Sequence, residues 1–166
     1  MKISVRKVDP RNAEVSATLA YLQKKCLPYD EPYDVNKGHW WIAYADDVIP
    51  VAFAGLVRSY SWYDCGYLCR AGVLKEYTGK GIQKRLIKVR ESYAKRLGWN
   101  WVITDTHDNP ASSNSLIACG FRLYNPTTPW AFKDSLYWRK KLNALQRPRS
   151  KKKKASPIFE ELLRKK

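Results

Sequence analysis

One stretch near the middle of the chain constrains the fold most: Val73-Leu74-Lys75-Glu76-Tyr77-Thr78-Gly79-Lys80-Gly81-Ile82-Gln83-Lys84-Arg85-Leu86. It reads as the end of a β-strand, a tight glycine turn and the first turn of a helix. Elements in that order aim several unpaired backbone N–H groups at one point, and the positive end of the helix dipole adds to them. Such a point binds phosphate. A G-x-x-x-x-G-K-[ST] phosphate loop is excluded, because Leu74 stands where its first glycine belongs and Gly81 follows Gly79-Lys80. A dinucleotide G-x-G-x-x-G fingerprint fits at Gly79 and Gly81 but has Lys84 in its third glycine position.

The helix expected from Gly79 to Leu97 carries Ile82, Leu86, Val89, Tyr93 and Leu97 at helical spacing, a stripe for burial. Another face sets Lys80, Lys84 and Lys88 one turn apart. Like charges so placed repel by about 0.2–0.5 kcal/mol per pair, which a bound anion relieves. Arg85 is a further donor beside them. Elsewhere Lys2 to Val8 alternates like a strand, and Asp9-Pro10 supplies a cap and first-turn proline for a helix to about Cys26. Trp40–Ala45 and Val48–Tyr60 read as a hairpin about Asp46-Asp47. Tyr67–Leu74, Trp99–Thr106, Phe121–Tyr124 and Ser135–Leu142 read as further strands, with a short helix opening at Asn109-Pro110. The fold class is α/β: a mixed sheet with helices on its faces, in a single domain over residues 1–142.

Two motifs carry a family resemblance. Val73 followed by Thr78-Gly79-Lys80-Gly81-Ile82-Gln83 is similar to the strand and [QR]-x-x-G-x-[GA] loop of the Gcn5-related N-acetyltransferase (GNAT) superfamily. Thr78 replaces the usual Arg or Gln, and Gln83 the usual Gly or Ala. Asn109-Pro110-Ala111-Ser112, running to Cys119-Gly120-Phe121, resembles the family's N-x-x-[AS]…G-F segment at its usual spacing. The order strand, glycine loop, helix, strand, helix, G-F strand is that of the coenzyme-binding half. The finer resemblance is to small acetyltransferase-like proteins of tailed bacteriophages. It implies a splayed central sheet holding acetyl-CoA in the gap. Val73, Leu74, Thr78, Gly79, Lys80, Gly81, Ile82, Gln83, Lys84 and Asn109 are then the cofactor-binding residues. The implied reaction is acetyl transfer to an amine acceptor, namely a protein lysine, a small cationic amine or a nucleic-acid-linked amine.

The usual catalytic groups are missing. The stretch Leu68-Cys69-Arg70-Ala71-Gly72 has no carboxylate where many relatives carry a glutamate base, and Leu116 stands where many carry a tyrosine acid. Asp105, at the end of its strand, is the candidate proton acceptor. Ser112 and Ser115 are candidates to bond the coenzyme or its thiolate. Turn and helix-backbone roles compete at each of these positions. His107 and Asp108 are loop residues of similar standing. Asp30, Glu31 and Asp34 form an acidic loop suited to a cationic acceptor, or to plain solvation.

Four cysteines without a C-x-x-C pair and only two histidines argue for reduced thiols and no metal site. No apolar run approaches the ~20 residues that span a bilayer, so a cytoplasmic protein is expected, in the host if phage-encoded, with no membrane partner. The charge is uneven. Residues 1–142 hold 22 Lys and Arg against 13 Asp and Glu, a net +9, while residues 143–166 hold 9 against 2, a net +7. That second segment reads as a basic linker and a short amphipathic helix. It suits nucleic acid, a host protein or a second copy of the chain, and it supports the alternative of a catalytically degenerate binding protein.

Overall fold

The computed structural model describes residues 1–143. The expected segment 143–166 therefore lies outside the described residues apart from Asn143. The elements are β1 (Ile3–Val8), α1 (Ala13–Cys26), β2 (His39–Ala45), β3 (Ile49–Arg58), β4 (Cys65–Tyr67), β5 (Ala71–Val73), a 3-10 turn (Lys75–Tyr77), α2 (Ile82–Arg96), β6 (Trp101–Thr106), α3 (Pro110–Ala118), β7 (Arg122–Leu123) and β8 (Leu136–Lys141). The strands form one sheet in the order β1-β2-β3-β4-β6-β8-β7, and β5 also pairs with β3. Among the described residues only β4 and β6 run parallel; every other pairing is antiparallel. This is the mixed α/β architecture expected, with helices on the faces of the sheet.

The β2–β3 hairpin turns at Asp46 and Asp47, whose φ values of 48° and 64° are the left-handed pair that a tight hairpin requires. Period-two alternation along these strands feeds two cores. Trp41, Ala43, Ala52, Ala54 and Leu56 join Leu86 and Ile87 of α2, while Trp40, Ile42 and Phe53 join Leu19 and Leu22 of α1. Among the described residues no helix is long and apolar enough to cross a membrane. All four cysteines are free thiols.

Three expectations are corrected. First, α1 is capped by Asn12, not Asp9. Asn12 Oδ1 accepts from the N–H groups of Glu14 and Val15, whereas the Asp9 carboxylate is occupied by Arg11. Second, the buried face of α2 is Ile82, Leu86, Ile87, Arg90, Glu91 and Ala94, with Val89, Tyr93 and Leu97 only half-buried at its flank. The face is turned because Arg90 and Glu91 find polar partners inside. Third, Tyr67–Leu74 is not one strand. Its first part, β4, pairs with β6 through Tyr67↔Ile103, and its last part, β5, pairs only with β3.

The break at residues 68–70 follows from competing partners. Leu68 still donates to the carbonyl of Ile103, but Cys69 and Arg70 turn their main-chain groups onto Gly55 of β3. Thr104 fills the vacated rung by donating its hydroxyl to the Leu68 carbonyl at 2.9 Å. Beyond that point β5 and β6 part. Gly72 is pressed against α1, where an added Cβ would lie 2.3 Å from the Cys26 Cβ. Gly72→Ala is therefore expected to cost about 1–3 kcal/mol through overpacking, read as a lowered Cm at unchanged m value in urea unfolding.

Candidate active site

The parting of β5 from β6 opens a groove with two connected chambers. One, of about 480 Å3, is bounded by β5, the Thr78–Gly81 turn, the start of α2 and the α3 residues Ala111, Ser112 and Ser115. The other, of about 300 Å3, runs inward past Leu68, Cys69, Thr104 and Asp105 to Ile87 and Arg90. Leu27, Ala71, Gln83, Asn109 and Ser112 border both.

The outer chamber is built from main-chain donors. No described residue accepts from the N–H groups of Gly79, Lys80, Gly81, Ile82, Gln83 or Lys84. The first intrahelical bond at this end is Arg85 N–H to the Gly81 carbonyl, at 3.2 Å. Gly79 and Gly81 have φ values of 74° and 72°, a conformation that L side chains rarely adopt, and a Cβ on either would meet nothing within 4 Å. The space beside the turn is thus a cradle that side chains would occupy. The first turn of α2 carries no acidic residue to neutralise the helix dipole. Free amides, left-handed glycines and the cations Lys80, Lys84 and Arg85 together suit a diphosphate.

The flanking strand adds a second set of donors. Gly55 donates to Arg70 and Leu74 to Val51. The period-two alternation then turns the N–H and C=O groups of Ala71 and Val73 away from β3, toward the gap. Ala71, Gly72, Val73, Thr78, Gly79, Gly81, Ile82, Gln83, Lys84 and Asn109 all line the outer chamber. Of the expected cofactor residues, Leu74 and Lys80 do not. Leu74 packs with the α1-side core, and Lys80 is an exposed charge beside the turn. Thr78 places its hydroxyl on the Lys75 carbonyl at 2.8 Å, closing the 3-10 turn.

The candidate catalytic residues divide between the chambers. Asn109 caps α3, its Oδ1 accepting from Ser112 N–H at 3.0 Å. The Ser112 hydroxyl has no partner among the described residues. The Ser115 hydroxyl donates to the Ala111 carbonyl at 3.0 Å. Asp105 lies in the inner chamber, where its Oδ1 accepts from the Tyr67 hydroxyl at 2.7 Å and from Trp130 Nε1 at 2.9 Å. His107 borders the same chamber with its ring tilted 57° to that of Phe132, centroids 5.7 Å apart, while Asp108 adopts a left-handed turn outside it. Of the acidic loop only Asp30 reaches the chamber, paired with the guanidinium of Arg70.

Tyr67, Trp130 and Arg90 were not legible as site residues. Tyr67 and Asp105 face one another because Tyr67 pairs with Ile103, two residues before Asp105 on the same side of β6. Burial, followed by the Asp105 charge, holds the Tyr67 phenol far above its ordinary range, so it remains a hydrogen-bond donor. Arg90 is 2% exposed and donates to the carbonyls of Gly55 and Leu86 at 3.1 and 3.0 Å. Burial lowers its pKa to about 10, still charged at neutrality.

The profile of the acetyltransferase (GNAT) family matches residues 10–121, and the chain belongs to that family. Solved structures share the fold. Phosphinothricin acetyltransferase from Sinorhizobium meliloti, in complex with acetyl-CoA, superposes with a TM-score of 0.67 at 16% identity over 90% of this chain and 95% of that one. A Bacillus subtilis acetyltransferase in complex with CoA gives 0.65 at 17% identity over 85% and 99%. The IAA acetyltransferase from Bacillus cereus gives 0.65 at 14% over 85% and 100%. No curated protein matches the sequence significantly.

Cys69 is the one thiol of the inner chamber, and burial pushes its pKa up to about 11. At pH 8 about one molecule in a thousand then carries the thiolate, the nucleophilic form. Iodoacetamide at pH 8 is expected to modify Cys69 orders of magnitude more slowly than glutathione, as followed by peptide mass spectrometry.

Proposed function

We propose that the protein is an acetyl-CoA-dependent N-acetyltransferase that passes the acetyl group to an amine by direct attack in a ternary complex. The observation that carries this reading is the run of main-chain N–H groups from Gly79 to Lys84, all without an internal acceptor, at the mouth of a groove floored by Val73. Bound acetyl-CoA supplies an activated thioester. The amides of Gly79–Lys84 hold the diphosphate, with Lys80, Lys84 and Arg85 balancing its charge. The main-chain groups of Ala71 and Val73 pair with the amide-bearing arm as a neighbouring strand would. Asn109 and the free hydroxyl of Ser112 border that arm.

The chemistry needs an unprotonated amine and a proton for the departing thiolate. Asp105 takes the proton from the amine, directly or through one water, and Tyr67 and Trp130 fix its carboxylate. Ser112, at the junction of the chambers, has the free hydroxyl placed to donate to the thiolate, and Ser115, on the same helix in the outer chamber, donates to it on release of its bond to the Ala111 carbonyl. Positioning of the two substrates supplies much of the rate. A neutral Cys69 favours direct attack over an acetylated cysteine. The acceptor is an amine whose cationic form the Asp105 carboxylate attracts, the Asp30 carboxylate being paired with Arg70. Protein lysines, small amines and nucleic-acid-linked amines all satisfy this. No observation favours the alternative of a degenerate binding protein. Kinship with the bacteriophage proteins, and a host cytoplasm as location, rest on the sequence resemblance alone.

Acetyl-CoA at 100 times its dissociation constant is expected to stabilise the fold by about 2.7 kcal/mol, a rise in Tm of roughly 5–10 °C for a domain of this size. No rise at millimolar acetyl-CoA refutes the reading. Gly81→Ala, which costs about 1–2 kcal/mol of left-handed strain, is expected to fold and to lose most of that ligand-induced rise.

Asp105→Ala is expected to keep the acetyl-CoA rise in Tm while kcat on a responsive amine falls about 10²–10⁴-fold. Thiol release, followed with a chromogenic disulfide, measures it. An unchanged kcat removes Asp105 from the mechanism.

A further inference from the structure

We propose that the sheet face carrying Trp62, Trp101, Tyr124 and Arg139 is a platform for single-stranded nucleic acid. Strand register puts the components together. Trp101 pairs with Lys141, Ile103 with Arg139, and Arg139 with Arg122, so all five point to one side of β6, β8 and β7. The opposite side holds Val102 and Trp138 in the core with α2. On the open side Trp62 stacks on Trp101 with centroids 5.0 Å apart and planes 29° from parallel, and lies 6.2 Å from Tyr124. The Arg139 guanidinium rests 5.6 Å from the Trp101 ring and 5.0 Å from the Tyr124 ring.

The charge of this face selects its occupant. Arg122, Arg139 and Lys141 are exposed, and none forms a salt bridge with a described residue. The adjacent carboxylate, Asp64, is engaged by the side chain and N–H of Asn100. Leu142 is tied by its N–H to the Asn100 carbonyl at 2.6 Å. In the sequence that follows, residues 143–166 carry nine Lys and Arg against two acids. Cations along a backbone track with aromatic faces between them are the means by which single strands are held without sequence readout. A duplex satisfies the charges but hides its base faces from Trp62 and Tyr124.

The platform shares its side of β6 with Asp105, four residues and roughly 13 Å from Trp101. An amine borne on a bound strand thus lies within reach of the cleft. Binding itself does not depend on acetyl transfer, so the two readings fail separately.

The test is fluorescence anisotropy of the full-length protein with labelled 20-nucleotide oligo(dT) and with a duplex of equal length, at 100 mM salt and without acetyl-CoA. Tighter binding of the single strand is expected, with quenching of tryptophan fluorescence. Trp62→Ala, at a loop position, is expected to weaken single-strand binding tenfold or more and to leave duplex binding unchanged. Replacing Lys151, Lys152, Lys153 and Lys154 by Gln is expected to weaken both and flatten the salt dependence. Tyr124→Ala, with Tm checked, repeats the test independently of Trp62. Equal affinity for the two forms, or aromatic variants that bind as wild type, overturns the platform and leaves only contact through the basic tail. Absence of any binding overturns it outright.

Discussion

The parting of two strands after Leu68 is the constraint on which the rest of the molecule depends. A parallel rung at Tyr67↔Ile103 and the Leu68-to-Ile103 hydrogen bond hold β4 to β6, and one residue later the chain is claimed by Gly55 of β3. An interior sheet edge left unpaired costs free energy unless its polar groups meet water or a ligand. Here the exposed edge is short, only Ala71–Val73, and the Thr104 hydroxyl satisfies the last carbonyl before the gap. The gap is thereby wide enough for a ligand and narrow enough to leave the fold intact. It also fixes the direction in which α2 begins, because β5 leads through the 3-10 turn into the glycine cradle.

The cradle is useful only if α2 is held at one angle to the gap, and buried polar contacts hold it. Arg90 reaches from α2 to the Gly55 carbonyl, the same residue that captures Cys69 and Arg70. Lys140 of β8 donates to both oxygens of Glu91 at 3.0 and 2.9 Å and to the Cys119 carbonyl at 2.6 Å, joining α2 to the far strand and the end of α3. Buried ion pairs of this kind contribute little net stability, since desolvation offsets their attraction. Their directional donors do discriminate between rotations of α2 that Leu86, Ile87 and Ala94 alone would tolerate. The helix face turned inward is accordingly the one bearing Arg90, not the purely apolar stripe through Val89 and Tyr93.

That turned face shows where sequence reading stops. The hairpin at Asp46-Asp47, the glycine turn leading into α2, the helix opening at Asn109 and the order of elements were all legible, because each depends on residues close together in the chain; the helix itself begins at Ile82, three residues later than the expected Gly79. The broken strand at 68–70 was not. Nothing in Tyr67–Leu74 marks it, and the break arises from competition between β3 and β6 for the same main-chain groups. The Tyr67–Asp105 and Arg90–Gly55 contacts, across 38 and 35 residues, belong to the same class. Arg90 and Glu91 read as surface charges in any periodicity count, since burial of a charge is decided by partners the pattern does not contain.

The departures of this chain from its family's usual motifs become intelligible in the same terms. A cradle of main-chain amides requires positive φ at Gly79 and Gly81 and an open helix end; it places little demand on the side chain of Thr78, which here closes the preceding turn, or of Gln83, which faces the junction of the chambers. The absence of a carboxylate on residues 68–72 is likewise local to one wall of the gap. In the proposed reaction the proton acceptor is supplied by the opposite wall, where Asp105 is fixed by donors from β4 and from the loop bearing Trp130. A proton acceptor must be within hydrogen-bond reach of the amine, whichever strand carries it. Moving it from residues 68–72 to β6 shifts the approach of the acceptor toward the side of the sheet that Tyr67, Asp105 and Tyr137 share with Trp101 and Arg139. In the proposed reading the acceptor therefore approaches over that open face, and the acidic loop at Asp30, whose charge Arg70 already offsets, contributes less to its choice.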